Sequence, residues 1–201
     1  IMRFIGDVHA CFKEYVTIAE ASPTGSIQVG DFGVGFGQVP NMNPKHRFIR
    51  GNHDNPEDCK LLPNWIPDGT IEDDIFYCGG ARSIDQSFRC EGVDWWRNEE
   101  LSVGEYYEMY DQFVLKVHKP KIIVTHDLPS KLTPHVFGVT SEPSRTGQFL
   151  DALFDYHKPE LWIFGHWHMR RDIDILGTRF ICLDMIRKNS DNTAAWIDIS
   201  L

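Results

Sequence analysis

Paired thiols are the first thing this sequence lacks. Its five cysteines, Cys11, Cys59, Cys78, Cys90 and Cys182, are odd in number and form no CxxC pair. A disulfide framework and a thiolate zinc knot are thereby disfavoured. Reduced, mostly buried thiols in a cytoplasmic protein are the plain expectation. Apolar runs of membrane-spanning length are also missing, so no membrane association is expected. The chain opens on a strand-like segment, residues 2–5, without the pattern of a signal peptide. Basic charge is scarce: 20 Lys and Arg stand against 29 Asp and Glu, a net charge of -9. Backbone phosphates are bound through Lys and Arg, so general nucleic-acid binding is not expected. Bound divalent cations would still supply positive charge locally. Repeats and low-complexity stretches are absent too. With 201 residues, 42% of them hydrophobic, the chain can bury one full core, and a single domain over 1–201 is expected.

Short apolar runs do recur, each closed by polar or glycine-rich residues: 3–5, 26–29, 47–49, 75–78, 122–124, 161–164, 179–182 and 194–199. Runs of that length bounded by turn signals read as buried strands. Helix-like segments lie between them at 12–20, 102–118 and 148–156. The second carries Tyr106, Met109, Tyr110, Phe113, Val114 and Val117 as a stripe at helical spacing. Alternating strands and helices indicate α/β layers. The last two strands are expected to form a hairpin across 187–192, which makes the sheet system mixed. Residues 33–45 and 63–69 read as loop.

The chemistry follows the strands. Gly6-Asp7-Val8-His9, Gly30-Asp31, Gly51-Asn52-His53-Asp54, His126-Asp127 and Gly165-His166-Trp167-His168 each begin within two residues of an apolar run's end. Ligands of α/β sheets bind outside the carboxyl ends of strands, so these five ends can converge. Imidazole and carboxylate suit divalent ions. Taken alone, each segment is ordinary turn chemistry or a surface histidine; five such ends together are not. Asp7, His9, Asp31, Asn52, His126, His166 and His168 make seven candidate ligands. That is too many for one tetrahedral ion but suits two ions sharing a carboxylate, an arrangement that clamps both oxygens of a phosphoryl displacement.

In this order the segments resemble the calcineurin-like metallophosphoesterase superfamily, over Asp7 to His168. Residues Gly79 to Trp96 look like small, phage-type members. The resemblance implies an α/β fold: a four-layer αββα sandwich of two mixed sheets flanked by helices, with the metal site at strand C-terminal ends. It implies a hydrolase of phosphomonoesters or phosphodiesters that attacks with hydroxide activated by two divalent ions, manganese first, with iron or zinc as alternatives. Asp7, His9, Asp31 and His168 match the ligands of one ion. Asp31, Asn52, His126 and His166 match those of the other, with Asp31 bridging. His53 matches the catalytic histidine, Asp54 the acid that orients it, and Arg50 a phosphate-binding arginine. Two departures stand out. Ala10 takes the place of a common glycine. Phe32-Gly33-Val34-Gly35 replaces the Asp-Arg-Gly segment of the protein-phosphatase branch, which removes a phosphate-holding arginine and counts against Ser/Thr protein phosphatase activity. The partner is a phosphate ester: a nucleotide, a nucleic-acid end, a small ester or a phosphoprotein. A metal-bound interaction scaffold is the non-enzymatic alternative, disfavoured by the complete ligand set.

Other residues are open to plainer readings. Trp95 and Trp96 could rim a substrate site, but capping the core is the simpler role. Arg82 and Arg89 could reach a phosphate, with surface ion pairing as the bland alternative. Trp167 is expected to turn away into packing, and His46, His118, His135 and His157 to be structural or exposed.

Overall fold

The computed structural model describes residues 1–140 and 142–201. Its first half runs β1 (Met2–Ile5), α1 (Phe12–Glu20), β2 (Ser26–Gln28), β3 (His46–Phe48), α2 (Pro56–Cys59), β4 (Ile71–Glu72) and β5 (Ile75–Cys78). Its second half runs α3 (Val103–Leu115), β6 (Ile122–Thr125), α4 (Thr133–Phe137), α5 (Arg145–Tyr156), β7 (Leu161–Phe164), β8 (Arg171–Ile175), β9 (Thr178–Cys182) and β10 (Trp196–Ile199). One sheet has the order β10-β1-β2-β3 and the other β4-β5-β6-β7-β9-β8. Each sheet has a parallel centre and at least one antiparallel edge strand.

Period-2 alternation explains the layers. Ile75, Tyr77, Leu161 and Ile163 face Phe4, Ile27 and Val29 in a core between the sheets. Their strand neighbours Phe76, Cys78, Trp162 and Phe164 point the other way, onto Tyr106 and Phe113 of α3 and Phe149 to Phe154 of α5. On the far side Ile5 and Phe48 pack with Tyr15 and Ala19 of α1. Strands buried on both faces need no polar alternation, which is why they read as continuous apolar runs. The result is the expected αββα sandwich.

Helix α3 begins where its capping box dictates: Ser102 Oγ accepts from the Glu105 amide, while the Ser102 amide donates to the Glu105 carboxylate. Helix α5 starts three residues before the expected 148, at Arg145, capped by Ser144.

The expected terminal hairpin is not formed. Both edges of β9 are already taken, by β7 in parallel and β8 in antiparallel pairing. The hairpin that does form is β8–β9, turning through Leu176 and Gly177, both at positive φ. Strand β10 instead crosses to the other sheet and pairs with β1. Arg3 fixes that pairing: its guanidinium lies 4.0 Å from the Trp196 ring centroid and grips Asp198 through two 2.8 Å bonds. Residues 33–45 and 63–69 are loop, as expected. No described helix is long and apolar enough to cross a membrane.

Candidate metal centre

Asp7, Asp31 and Asn52 follow β1, β2 and β3 of one sheet, while His126 and His166 follow β6 and β7 of the other. The two sheets thus contribute to one cluster at their carboxyl ends. Close approach is bought with missing side chains: a Cβ on Gly165 would collide with the Asp7 carboxylate, and one on Gly51 with that of Asp31. Four candidate ligands are themselves in the left-handed region: His9 at φ 45°, Asp31 at 55°, His166 at 68° and His168 at 48°. Ala10, standing where glycine was noted as common, is forced to φ 60°. Such conformations cost of order 1–3 kcal/mol each and persist where surrounding structure imposes them, typically at functional sites. Here the imposing bonds are visible: the Val8 and His9 amides donate to the Asp31 carbonyl at 2.9 and 2.8 Å, and the His166 amide donates to the Asp7 carboxylate at 3.1 Å.

The side chains form two groups. Asp7, His9, Asp31 and His168 offer donor atoms all within 4.8 Å of one another, and so do Asp31, His126 and His166. In the first group His168 Nε2 stands 3.0 Å from Asp7 Oδ2 and 2.9 Å from His9 Nε2. In the second, His126 Nε2 stands 3.2 Å from Asp31 Oδ1 and 3.1 Å from Asn52 Oδ1. Asp31 belongs to both, and its oxygens divide between them: Oδ1 faces His126, while Oδ2 is 3.7 Å from His9 Nε2.

The donor set fits divalent metal. Asp31 Oδ2 is buried with no hydrogen-bond partner among the described residues, an uncompensated cost unless a cation meets it. His126 Nδ1 lies 2.9 Å from the Val29 carbonyl, so Nδ1 carries the proton and Nε2 presents a lone pair. That lone pair faces two oxygen acceptors, a repulsive contact that only a second proton or a metal ion relieves. Burial opposes charge on His126, yet Asp31 and Asp7 outweigh it and push the imidazole up to about 10. Likewise burial alone would raise the Asp7 carboxyl, but its bonds to His168 and His9 bring it down to about 2. Asn52 is aimed too: its Nδ2 donates to Ser83 Oγ at 3.0 Å, which turns Oδ1 inward. Ser83 is fixed in turn by Glu99, whose carboxylate accepts from the Ser83 amide at 2.9 Å and from its hydroxyl at 2.5 Å.

Residues 3–170 match the calcineurin-like phosphoesterase family. The chain belongs to that family. With membership comes the coarse activity, metal-dependent hydrolysis of phosphate esters. No curated protein matches the chain by sequence. Among solved structures, a phosphopantetheinyl hydrolase from Mycobacterium tuberculosis is similar in fold, with 14% identity, a TM-score of 0.50, and coverage of 92% of this chain and 89% of that one.

Within this phosphoesterase two expected roles are not what the side chains do. Asp54 does not hold the His53 ring. Its Oδ1 accepts from Gly33 and Val34 at 2.7 and 2.9 Å, and its Oδ2 from Phe32 and Gly51 at 3.0 and 2.7 Å. Four amides saturate a carboxylate, so Asp54 staples the Asp31 loop to the Asn52 loop. Arg50 is not open to substrate at the cluster either. Its side chain is buried, with Nε on Asp68 at 2.8 Å and Nη1 on the Glu99 carbonyl at 2.8 Å. It borders a cavity of about 820 Å³ that none of the seven candidate ligands lines. Burial disfavours its charge, but Asp68 holds the guanidinium firmly protonated.

His53 lies at the rim, its amide donating to Asp31 Oδ1 at 2.8 Å and its ring centroid 5.4 Å from that of His9. Trp167 turns into packing as expected, stacked on Phe137 at 4.3 Å. Trp96 is buried, its ring edge-on to that of Phe36. Sequence reasoning missed Ser83 and Glu99; the segment from Gly79 to Trp96 stood out only by resemblance, and the contact that gives it meaning is with a distant loop.

Proposed function

We propose that the chain is a two-metal phosphoesterase acting on phosphomonoesters or phosphodiesters, with Asp7, His9, Asp31 and His168 holding one ion and Asp31, Asn52, His126 and His166 the other. The carrying observation is Asp31, whose two carboxylate oxygens divide between two donor groups. Two divalent ions bound there lower the pKa of water toward 7 and draw charge from the phosphoryl oxygens. The protein's own part is to fix ligand geometry and to manage protons. His126 is held by Val29 in the tautomer that presents Nε2. Asn52 is held by Ser83 with its carbonyl inward. His53, at the rim, would give a proton to the leaving oxygen.

Small monoesters and diesters are favoured over phosphoproteins. No cationic side chain follows Asp31, because Phe32 is buried between Tyr15 and Phe48 at centroid distances of 4.8 and 4.7 Å. A bidentate arginine clamp on a dianionic phosphoprotein ester is therefore missing from that loop.

Metal analysis and a substrate screen test this together. The manganese-loaded protein should hold two ions per chain and hydrolyse nitrophenyl phosphate or bis-nitrophenyl phosphate ahead of a phosphopeptide. Asp31→Ala should lose both ions and more activity than Asp7→Ala or His168→Ala. One ion per chain at full turnover, or near-normal turnover in Asp31→Ala, would refute the shared-carboxylate reading.

A further inference from the structure

The segment between Gly79 and Trp96 delivers one arginine to the edge of the metal centre. Arg89 Nη2 lies 3.5 Å from His53 Nε2, although 36 residues separate them in sequence. A carboxylate holds the guanidinium in place: Nε donates to Asp85 Oδ1 at 2.8 Å and Nη2 to Asp85 Oδ2 at 2.6 Å. Nη1 donates to the Asp94 carbonyl at 3.3 Å. Arginine carries five N–H donors. Two are spent on Asp85 and one on Asp94. A second hydrogen of Nη2 points toward His53 over a long contact, and a second hydrogen of Nη1 has no partner among the described residues. The side chain is 22% exposed, so the fork is preorganised yet open to a small anion.

The neighbouring arginines do not share this placement. Arg82 pairs with Glu142 at 2.9 Å, Arg97 with Glu91 at 2.9 Å on the surface, and Arg50 is buried against Asp68. The loop after Asp31 offers Phe32 and no cation. We infer that Arg89 binds the phosphoryl group of the substrate, its free N–H edge meeting a non-bridging oxygen of the phosphate beside His53. It is a substrate-binding residue, and Asp85 is the positioning residue that aims it. The inference rests on the two-metal phosphoesterase reading above and adds to it a binding contact from a separate loop.

The bland alternative is a strut, in which Arg89 merely ties Asp85 to the Asp94 carbonyl and keeps the loop folded. The two readings separate on phosphate binding. Inorganic phosphate, the common product, is titrated calorimetrically into the manganese-loaded protein, alongside metal stoichiometry, melting temperature and the split between KM and kcat. Losing one charge-assisted pair of bonds to a phosphate oxygen should weaken phosphate binding in Arg89→Ala by roughly 10- to 100-fold. Two ions should remain bound. Arg97→Ala, on the same loop and equally charged, should bind phosphate as the wild type does. Asp85→Asn keeps the cation and should lose less affinity than Arg89→Ala, whereas a strut predicts equal losses in the two. An Arg89→Ala protein that binds phosphate within twofold of the wild type overturns the inference, as does an Asp85→Asn protein that loses as much. A wild type that takes up metal but neither binds phosphate nor hydrolyses any ester overturns the proposed function and this inference with it. If Arg89→Ala does not fold, Arg89→Lys decides: it keeps the charge without the fork, and unchanged phosphate affinity and KM would count against a guanidinium contact.

Discussion

His53 sits where residue types alone say most about function and where the tertiary contacts add something the types do not. It follows Asn52, and its amide is tied to Asp31, so it is close to the ligand cluster whatever its ring does. A general acid matters most when the leaving group is basic, and such groups are typically worth about 10²–10⁴-fold in rate. His53→Asn should therefore slow an alkyl phosphate far more than a nitrophenyl one, with metal content unchanged. Equal slowing of the two esters, or loss of metal, would make His53 a positional residue. The contacts around the ring also oppose its charge. Burial lowers its pKa first, and Arg89 lowers it further against the pull of Asp31. At this scale the sequence was legible for which candidate ligands come together, because Asp, Asn and His immediately after apolar runs have few other uses in such number. It was not legible for Asp54 or Arg50. Their partners, four amides and Asp68, are set by loops that meet only in the fold.

Elements were legible to the extent that periodicity governs them. The stripe that begins at Tyr106 lies on helix α3 as far as Val114, although its last member, Val117, falls beyond the helix end at Leu115 and is exposed; the double-sided burial of β5, β6 and β7 gave continuous apolar runs. Period 2 tells which face a residue takes but not which strand lies beside it, and so β9 and β10 were wrongly paired. Strand β8 escaped notice because it is an exposed edge with charged Arg171, Asp172 and Asp174, its place fixed by the Asp172–Arg179 pair on β9. Loops were the least legible, and they hold the site together. Asp54→Asn puts an NH2 donor in place of one carboxylate oxygen and so strands about two buried amides, each costing about 1–3 kcal/mol. Chemical denaturation should show a loss of about 2–6 kcal/mol, and both esters should slow alike. Slowing confined to the alkyl ester would restore Asp54 to a role at His53. Ser83→Ala frees the Asn52 amide to rotate. Loss of such outer hydrogen bonds commonly costs about 10- to 100-fold in metal affinity. Calorimetric manganese titration should show one weakened site and one unchanged site. Two unchanged sites would mean that Ser83 does not orient Asn52.

At the scale of the whole molecule, an acidic chain has concentrated its unusual electrostatics where two sheets meet. The carboxylates of Asp7 and Asp31 and the ring of His126 are buried there, while His168 is exposed. Against the penalty of burial, Asp31 and Asp7 raise His126 from 6.5 to about 10, so at neutral pH its ring carries a proton that a metal ion must displace. Metal ligation requires neutral imidazole. Manganese binding should therefore tighten with rising pH up to about 10, roughly tenfold per unit for each proton released. Stability of the metal-free chain should move the opposite way. A group whose folded pKa is raised contributes stability that is fully present below its unfolded value, here 6.5, and is lost as pH rises through about 10. Asp7 acts at the other end. Its carboxyl is brought from 3.8 to about 2, so its contribution is present above 3.8 and lost as pH falls through about 2. Melting of the metal-free protein from pH 6 to 10 should show a steady fall that the manganese-loaded protein does not share, since the ions replace the proton. Calorimetric titrations in buffers of different ionisation heat should count at least one proton released per chain at pH 7. Zero proton release, with manganese affinity flat across that range, would mean that His126 is already neutral and that the contact of its Nε2 with Asp31 and Asn52 is relieved in some other way.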